Sequence, residues 1–194
     1  MRSKKFILST IVIAQFCCTS LWFAGNSIIS DLIPNFNLET SALGHLTSAI
    51  QFGFIIGTLV FAVFTLADKY SSSKVFFISA LFAAFFNLAI TFGNQTFYSL
   101  IIIRFLVGFF LAGIYPVGMK IASDYFKEGL GKSLGFLVGA LVLGTAFPHL
   151  LNSFQGLISW KSIVYITSLI SLLGGLLILV FVSDGPYKKA LKQF

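Results

Sequence analysis

Six stretches of the chain stay apolar long enough to cross a bilayer as helix, which takes about 20 residues. They run over residues 6–30, 43–66, 75–92, 98–122, 134–153 and 162–183. Polar residues collect in the short connectors: PNFNLET, ADKYSSSK, GNQT, DYFKEGLGKS and FQGLISWK, in chain order. No connector is long enough to form a soluble domain. Spans of this kind are helices, because open strands leave main-chain groups unsatisfied in lipid. The pattern predicts an all-α integral membrane protein with a single membrane domain over residues 1–194. The opening MRSKKFILSTIVIAQFCC resembles a secretory leader. Its apolar run continues past residue 20 without a small-residue cleavage site, however, and Phe16 precedes Cys17 where a lipoprotein needs a small residue. It therefore reads as a first span.

Polar positions inside the spans have helical spacing. Gln15, Thr19, Trp22 and Asn26 fall four, three and four residues apart, on one face of a continuous helix. In lipid such a stripe serves as contact between helices or lines a wet cavity, and its length favours a cavity. The fourth span carries Arg104 and, eleven residues on, Tyr115, three turns along the same face. A guanidinium is always charged and has five donors to satisfy. Gly108 leaves room beside it, and Pro116 is expected to kink the span. No aspartate or glutamate lies deep in any span.

The third span, VFFISALFAAFFNLAITF, is apolar nearly all round and is expected to face lipid. The sixth is similar near its far end. In the fifth, Gly131, Gly135 and Gly139 form two overlapping small-xxx-small motifs, which permit close approach of another helix.

Two segments repeat. LGHLTSAIQFG (43–53) and LGFLVGALVLG (134–144) both read L-G-x-L-x-x-A-x-x-[FL]-G, pairing Gly53 with Gly144 at an offset of 91 residues. GNSIISD (25–31) and GMKIASD (118–124) share G-x-x-I-x-S-D. Spans three apart cross the membrane in opposite senses. The echoes thus predict a six-transmembrane-helix bundle of two inverted three-helix repeats, 6–92 and 97–183, with a tail over 184–194. Inverted repeats of three helices build many transporters.

Composition agrees. Hydrophobic residues make up 57% of the chain and charged residues only 10%, against about 25% in soluble domains. The net charge of +7 does not indicate nucleic acid, because the positives stand at the ends of apolar runs. Eleven of the 13 lysines and arginines fall on one side, Lys161 falls on the other, and Arg104 lies within a span. This bias places both termini in the cytoplasm. The expected location is a plasma membrane, and a bacterial inner membrane in particular. Cys17 and Cys18 are adjacent and make no disulfide framework. His45 and His149 stand alone near outer span ends. There is no metal-ligand spacing, no G-x-S-x-G and no phosphate-cradling loop. No enzyme, catalytic residue, metal or cofactor is expected.

Three passages resemble the major facilitator superfamily. LADKYSSSK (66–74) is similar to its cytoplasmic signature G-x-L-A-D-R-x-G-R-R, with Leu66, Ala67 and Asp68 in register and Lys69 as a conservative replacement. Phe64 and Ser71 stand at the glycines, and Ser72 and Ser73 at the paired arginines. RFLVGFFLAG (104–113) resembles the fourth-helix motif R-x-x-x-G-x-x-x-A, through Arg104, Gly108 and Ala112. SLWFAGN, YPVGMK and GALVLGTAFPHLL are similar to a bacterial branch of the superfamily. The fifth-helix antiporter signature needs a proline right after a glycine; here Ala140 follows Gly139, which disfavours an antiporter.

The resemblance implies half of a major facilitator fold and secondary active transport of a small solute by alternating access. It puts Arg104, Gln15, Thr19, Trp22, Asn26 and Tyr115 in a substrate cavity. It makes Asp68, Lys69 and Lys74 the cytoplasmic gating signature. Gly108, Gly131, Gly135, Gly139 and Gly144 are read from the residues themselves as helix-packing positions. Family members have twelve helices, and the aspartate matching Asp68 caps a helix of the second bundle. The expected partners are a small-molecule substrate, membrane lipid, and a second six-helix half or another membrane subunit. The buried cation favours a small organic anion. The alternative is a non-transporting subunit that scaffolds or regulates a membrane partner.

Overall fold

Three spans begin at hydroxyl caps. The computed structural model describes residues 3–154 and 157–188; Arg2, Lys189 and Lys192 of the charge bias and the end of the tail lie outside them. Ser3 accepts from the Phe6 amide to start α1 (Lys4–Thr19). Thr96 and Ser99 form a reciprocal capping box at α7 (Phe97–Leu111), and Ser159 accepts from the Ser162 amide at α10 (Trp160–Phe181). Such caps satisfy donors that a helix start leaves open.

The intervening elements are all helical among the described residues. They are α2 (Ala24–Ser27), α3 (Ile29–Asn35), α4 (Ala42–Val63), α5 (Leu66–Lys69), α6 (Ser72–Ala89), α8 (Tyr115–Tyr125) and α9 (Leu130–Asn152). Among the described residues, five runs are long and apolar enough to cross a membrane: α4, α6, α7 with α8, α9 and α10. The first expected span is not a single helix. It breaks after Thr19 and resumes as α2 and α3.

Helix packing follows the expected repeat. α4 lies along α7, and α9 lies along α1. α10 packs on α1, and α6 packs on α7. α6 and α10 pack on each other. Exchanging the first three spans with the last three maps this set of contacts onto itself. The two repeat glycines mark equivalent crossings. A Cβ at Gly53 would lie 2.0 Å from the Phe105 carbonyl oxygen, and one at Gly144 would lie 2.5 Å from that of Phe16. Gly108 meets the Ile50 carbonyl from the other side of the α4–α7 crossing, again at 2.0 Å. Lipid tails are as apolar as leucine, so close main-chain approach of this kind holds membrane helices together. The core fills the space between α1, α6 and the fourth span, with Ile11, Leu21, Phe76, Leu111 and Ile114 fully buried.

Two expectations change. The third span does not simply face lipid. Small residues on α6 (Ser79, Ala80, Ala83, Ala84) are buried, and Asn87 donates to Ser168 at 2.9 Å and Thr167 at 3.3 Å on α10. In their most apolar stretches, only 28% of α4 and 22% of α9 residues are buried, against 44% in both α6 and α10. The second and fifth spans are therefore the exposed ones. The glycine ridge also faces open space: among the described residues, nothing lies within 4 Å of a Cβ placed at Gly131, Gly135 or Gly139. Those glycines open outward from the bundle.

Candidate functional site

The break in the first span begins with hydroxyl groups that turn back on their own helix. Thr19 Oγ1 donates to the Gln15 carbonyl and Ser20 Oγ to the Cys17 carbonyl, each at 2.7 Å. Bonds of this kind compete with the helix ladder and bend it. The chain then turns through residues 20–23 before α2. Arg104 reaches this turn from α7. Its Nη1 donates to the Leu21 carbonyl at 3.2 Å and its Nη2 to the Trp22 carbonyl. The residue is only 1% exposed. Gly25 provides the space, since a Cβ there would stand 3.0 Å from the Arg104 Nε. That Nε has no hydrogen-bond partner, and no carboxylate pairs with the guanidinium, among the described residues.

The fourth span breaks too. It turns at Ala112–Ile114, and Tyr115 and Pro116 open α8. A proline in the first helical turn sacrifices no hydrogen bond there. Gly118 on α8 faces Gln15 on α1: a Cβ there would lie 2.6 Å from Gln15 Oε1. Each broken span thus gives a glycine to a polar side chain of the other. Gln15 is fully buried, and neither of its side-chain polar atoms has a partner among the described residues.

These breaks divide both stripes read from the spacing. Gln15 and Thr19 are buried on α1, while Trp22 and Asn26 lie beyond the break and are half-buried. Arg104 and Tyr115 fall on different helices, with Arg104 buried and Tyr115 half-buried.

α4 completes the accessible part of the site. The Trp22 ring packs on Phe54 at 4.7 Å between centroids, and Asn26 Nδ2 donates to Thr47 Oγ1 at 2.6 Å. Thr47, Gln51, Phe54 and Thr58 form a stripe along α4, and all four are at least partly accessible. Their four-three-four spacing equals that of Gln15, Thr19, Trp22 and Asn26. The sequence therefore carried the signal for residues that the motif reading missed. Trp22, Asn26, Thr47, Gln51 and Phe54 make one strip of polar and aromatic groups beside the buried guanidinium.

A second cluster lies at the opposite end of the spans. Lys120 on α8 binds Asp68 at 3.0 Å and Asp124 at 3.2 Å. A cavity of about 170 Å³ opens there, with Thr58, Thr65, Pro116 and Lys120 in its wall. Lys69 and Lys74 are exposed and join no ion pair among the described residues. The chain after α10 lies back across this end. Asp184 accepts from the Ser72 amide and the Ser71 hydroxyl, both at 3.2 Å. Lys188 donates to the Tyr70 carbonyl at 2.7 Å, and the Tyr187 amide donates to the Asp124 carbonyl at 3.0 Å.

The chain is similar to known proteins. The sequence model of the Major Facilitator Superfamily matches residues 11–194. The uncharacterized MFS-type transporter C18.02 of Schizosaccharomyces pombe is 33% identical over 156 residues, covering 74% of this chain and 33% of that protein. The niacin transporter NiaP of Acinetobacter baylyi is 28% identical over 168 residues, covering 73% of this chain and 37% of that protein. The matches thus span about a third of the length of these curated relatives.

Proposed function

We propose a function from one premise: the chain belongs to the major facilitator superfamily. On that premise it is a multi-pass membrane protein that works as half of a secondary active transporter, moving a small solute by alternating access. The observation that carries this reading is the reciprocal pair of breaks in the first and fourth spans. Interrupted membrane helices free main-chain groups near mid-membrane, and transporters use such groups at their substrate sites. The strip of Trp22, Asn26, Thr47, Gln51 and Phe54 is the wall that meets the solute. Arg104 stands behind it, fixing the break.

The solute is a small organic acid. Arg104 supports this, because it supplies a buried positive charge that no described carboxylate neutralises. Niacin, named for one relative, is a small carboxylic acid. The second half of the transporter is six further helices that pack on the exposed faces of α4 and α9, where Gly131, Gly135 and Gly139 admit close approach. Both termini lie in the cytoplasm, as the lysine bias supports. The Asp68–Lys120–Asp124 cluster closes the cytoplasmic side against that second half.

Uptake into proteoliposomes tests this reading. The chain with a second six-helix polypeptide takes up a carboxylate from a panel of anions and neutral solutes, and the chain alone takes up none. Uptake by the chain alone overturns the half-transporter reading. A preference for neutral solutes overturns the substrate class.

A further inference from the structure

A groove of about 650 Å³ is lined by α4, α6 and α7 together with the segment joining α4 to α6. It lies within the size range of small-ligand sites, roughly 300–1,000 Å³. Its walls are apolar, with Val60 and Phe61 on α4, Ile78 on α6, and Phe109 and Phe110 on α7. Two lysines, Lys69 on α5 and Lys74 in the first turn of α6, also line it. They flank Tyr70, which is 62% exposed. Aromatic rings of this type favour the headgroup level of a bilayer.

We propose that this groove binds one anionic phospholipid, with an acyl chain along the apolar wall and the phosphate between Lys69 and Lys74. Charge decides the occupant. Both lysines are exposed and have no ion-pair partner among the described residues, although Lys120 and Lys188 nearby are paired with aspartates. An apolar helix from a protein partner would leave the two ammonium groups unanswered, whereas a phosphate answers both. The exposed stripe of α4 that suits a second half is a separate one, formed by Phe52, Ile55, Leu59 and Val63. Basic pockets between membrane helices bind anionic headgroups for the same reason. Assigning the lipid to the cytoplasmic leaflet rests on the orientation proposed above; the binding itself does not.

Native mass spectrometry of the purified chain tests the proposal. The probes are phosphatidylglycerol and phosphatidylcholine with identical acyl chains. Wild type retains one phosphatidylglycerol at concentrations where phosphatidylcholine is lost. In the Lys69→Gln/Lys74→Gln double variant this preference falls roughly tenfold or more, given the attraction of each surface lysine to anionic lipid. A Lys5→Gln/Lys132→Gln pair, on the same membrane side but outside the groove, keeps it. Ile78→Trp, which fills the groove and keeps both lysines, also lowers retention. Equal retention of the two lipids by wild type overturns the proposal, as does an unchanged preference in the Lys69→Gln/Lys74→Gln variant. So does a chain dimer that Ile78→Trp dissolves, because the groove then belongs to a second copy. No step measures transport, so the outcome stands whether or not the chain is half of a transporter.

Discussion

The guanidinium of Arg104, carried on α7, donates to the main-chain carbonyls of Leu21 and Trp22 at the break in the first span. The break and the arginine therefore depend on each other. Removing the side chain strands buried acceptors, each at a cost of about 1–3 kcal/mol. The accompanying loss of a buried charge offsets part of this. Arg104→Ala is expected to lower stability in detergent by about 2–4 kcal/mol and to abolish uptake. Arg104→Lys recovers less than half of the stability, because one ammonium cannot reproduce a planar fork. Thermal unfolding followed by circular dichroism reads the first effect. An unchanged midpoint in Arg104→Ala would remove the capping role.

Gln15 makes the opposite case. Its amide is buried with both polar atoms unpartnered among the described residues. Gln15→Leu keeps the volume and removes the polar groups, so stability should hold or rise by about 1 kcal/mol. Uptake should fall at least tenfold if the amide serves the solute. A stability loss above about 1 kcal/mol would mean that the amide is satisfied within the folded bundle.

The glycines separate into two classes. Gly53→Val and Gly144→Val drive a side chain into main-chain oxygens and should cost more than the ~1–3 kcal/mol usual for overpacking. Gly135→Val meets open space and should leave the isolated chain unchanged. Its effect should appear in co-purification with a second six-helix polypeptide, as a loss of the complex. Equal damage from Gly135→Val and Gly144→Val in the isolated chain would contradict this division.

Asp184 acts as an N-cap supplied from 112 residues away, accepting from the Ser72 amide. Asp184→Ala should cost about 1 kcal/mol, as loss of an N-cap does. Hydrogen exchange should rise at amides 72–75, with the middle of α6 unaffected. Protection at those amides equal to wild type would show that Ser71 caps the helix instead.

Much of the fold was legible in the sequence, because lipid leaves few options. Long apolar runs must be helices, and Gly53 and Gly144 signalled equivalent crossings. The fourth-span break was legible through Pro116. The first-span break was not, since no proline stands at residues 20–23 and the cause is partly an arginine 82 residues downstream. Spacing assumes an unbroken helix, so Gln15 and Trp22 were read as one face when the turn separates them. Gly131, Gly135 and Gly139 were read as packing positions; small-xxx-small spacing says that a helix can approach, not which helix does. The third span misled for a related reason. Alanine and serine count as neither clearly apolar nor polar, yet their small size is what lets α6 press against α10.

The backward path of residues 182–188 bears on how the protein is made. Ser73 donates to the Val182 carbonyl, Ser72 to Asp184, and Tyr125 to the Ser183 carbonyl. These stitches fasten the last helix to the third and fourth, and they form only once all six spans have left the ribosome. The bundle is then sealed at one rim by its own chain. Docking of the last helix therefore also orders the start of the third span and the end of the fourth.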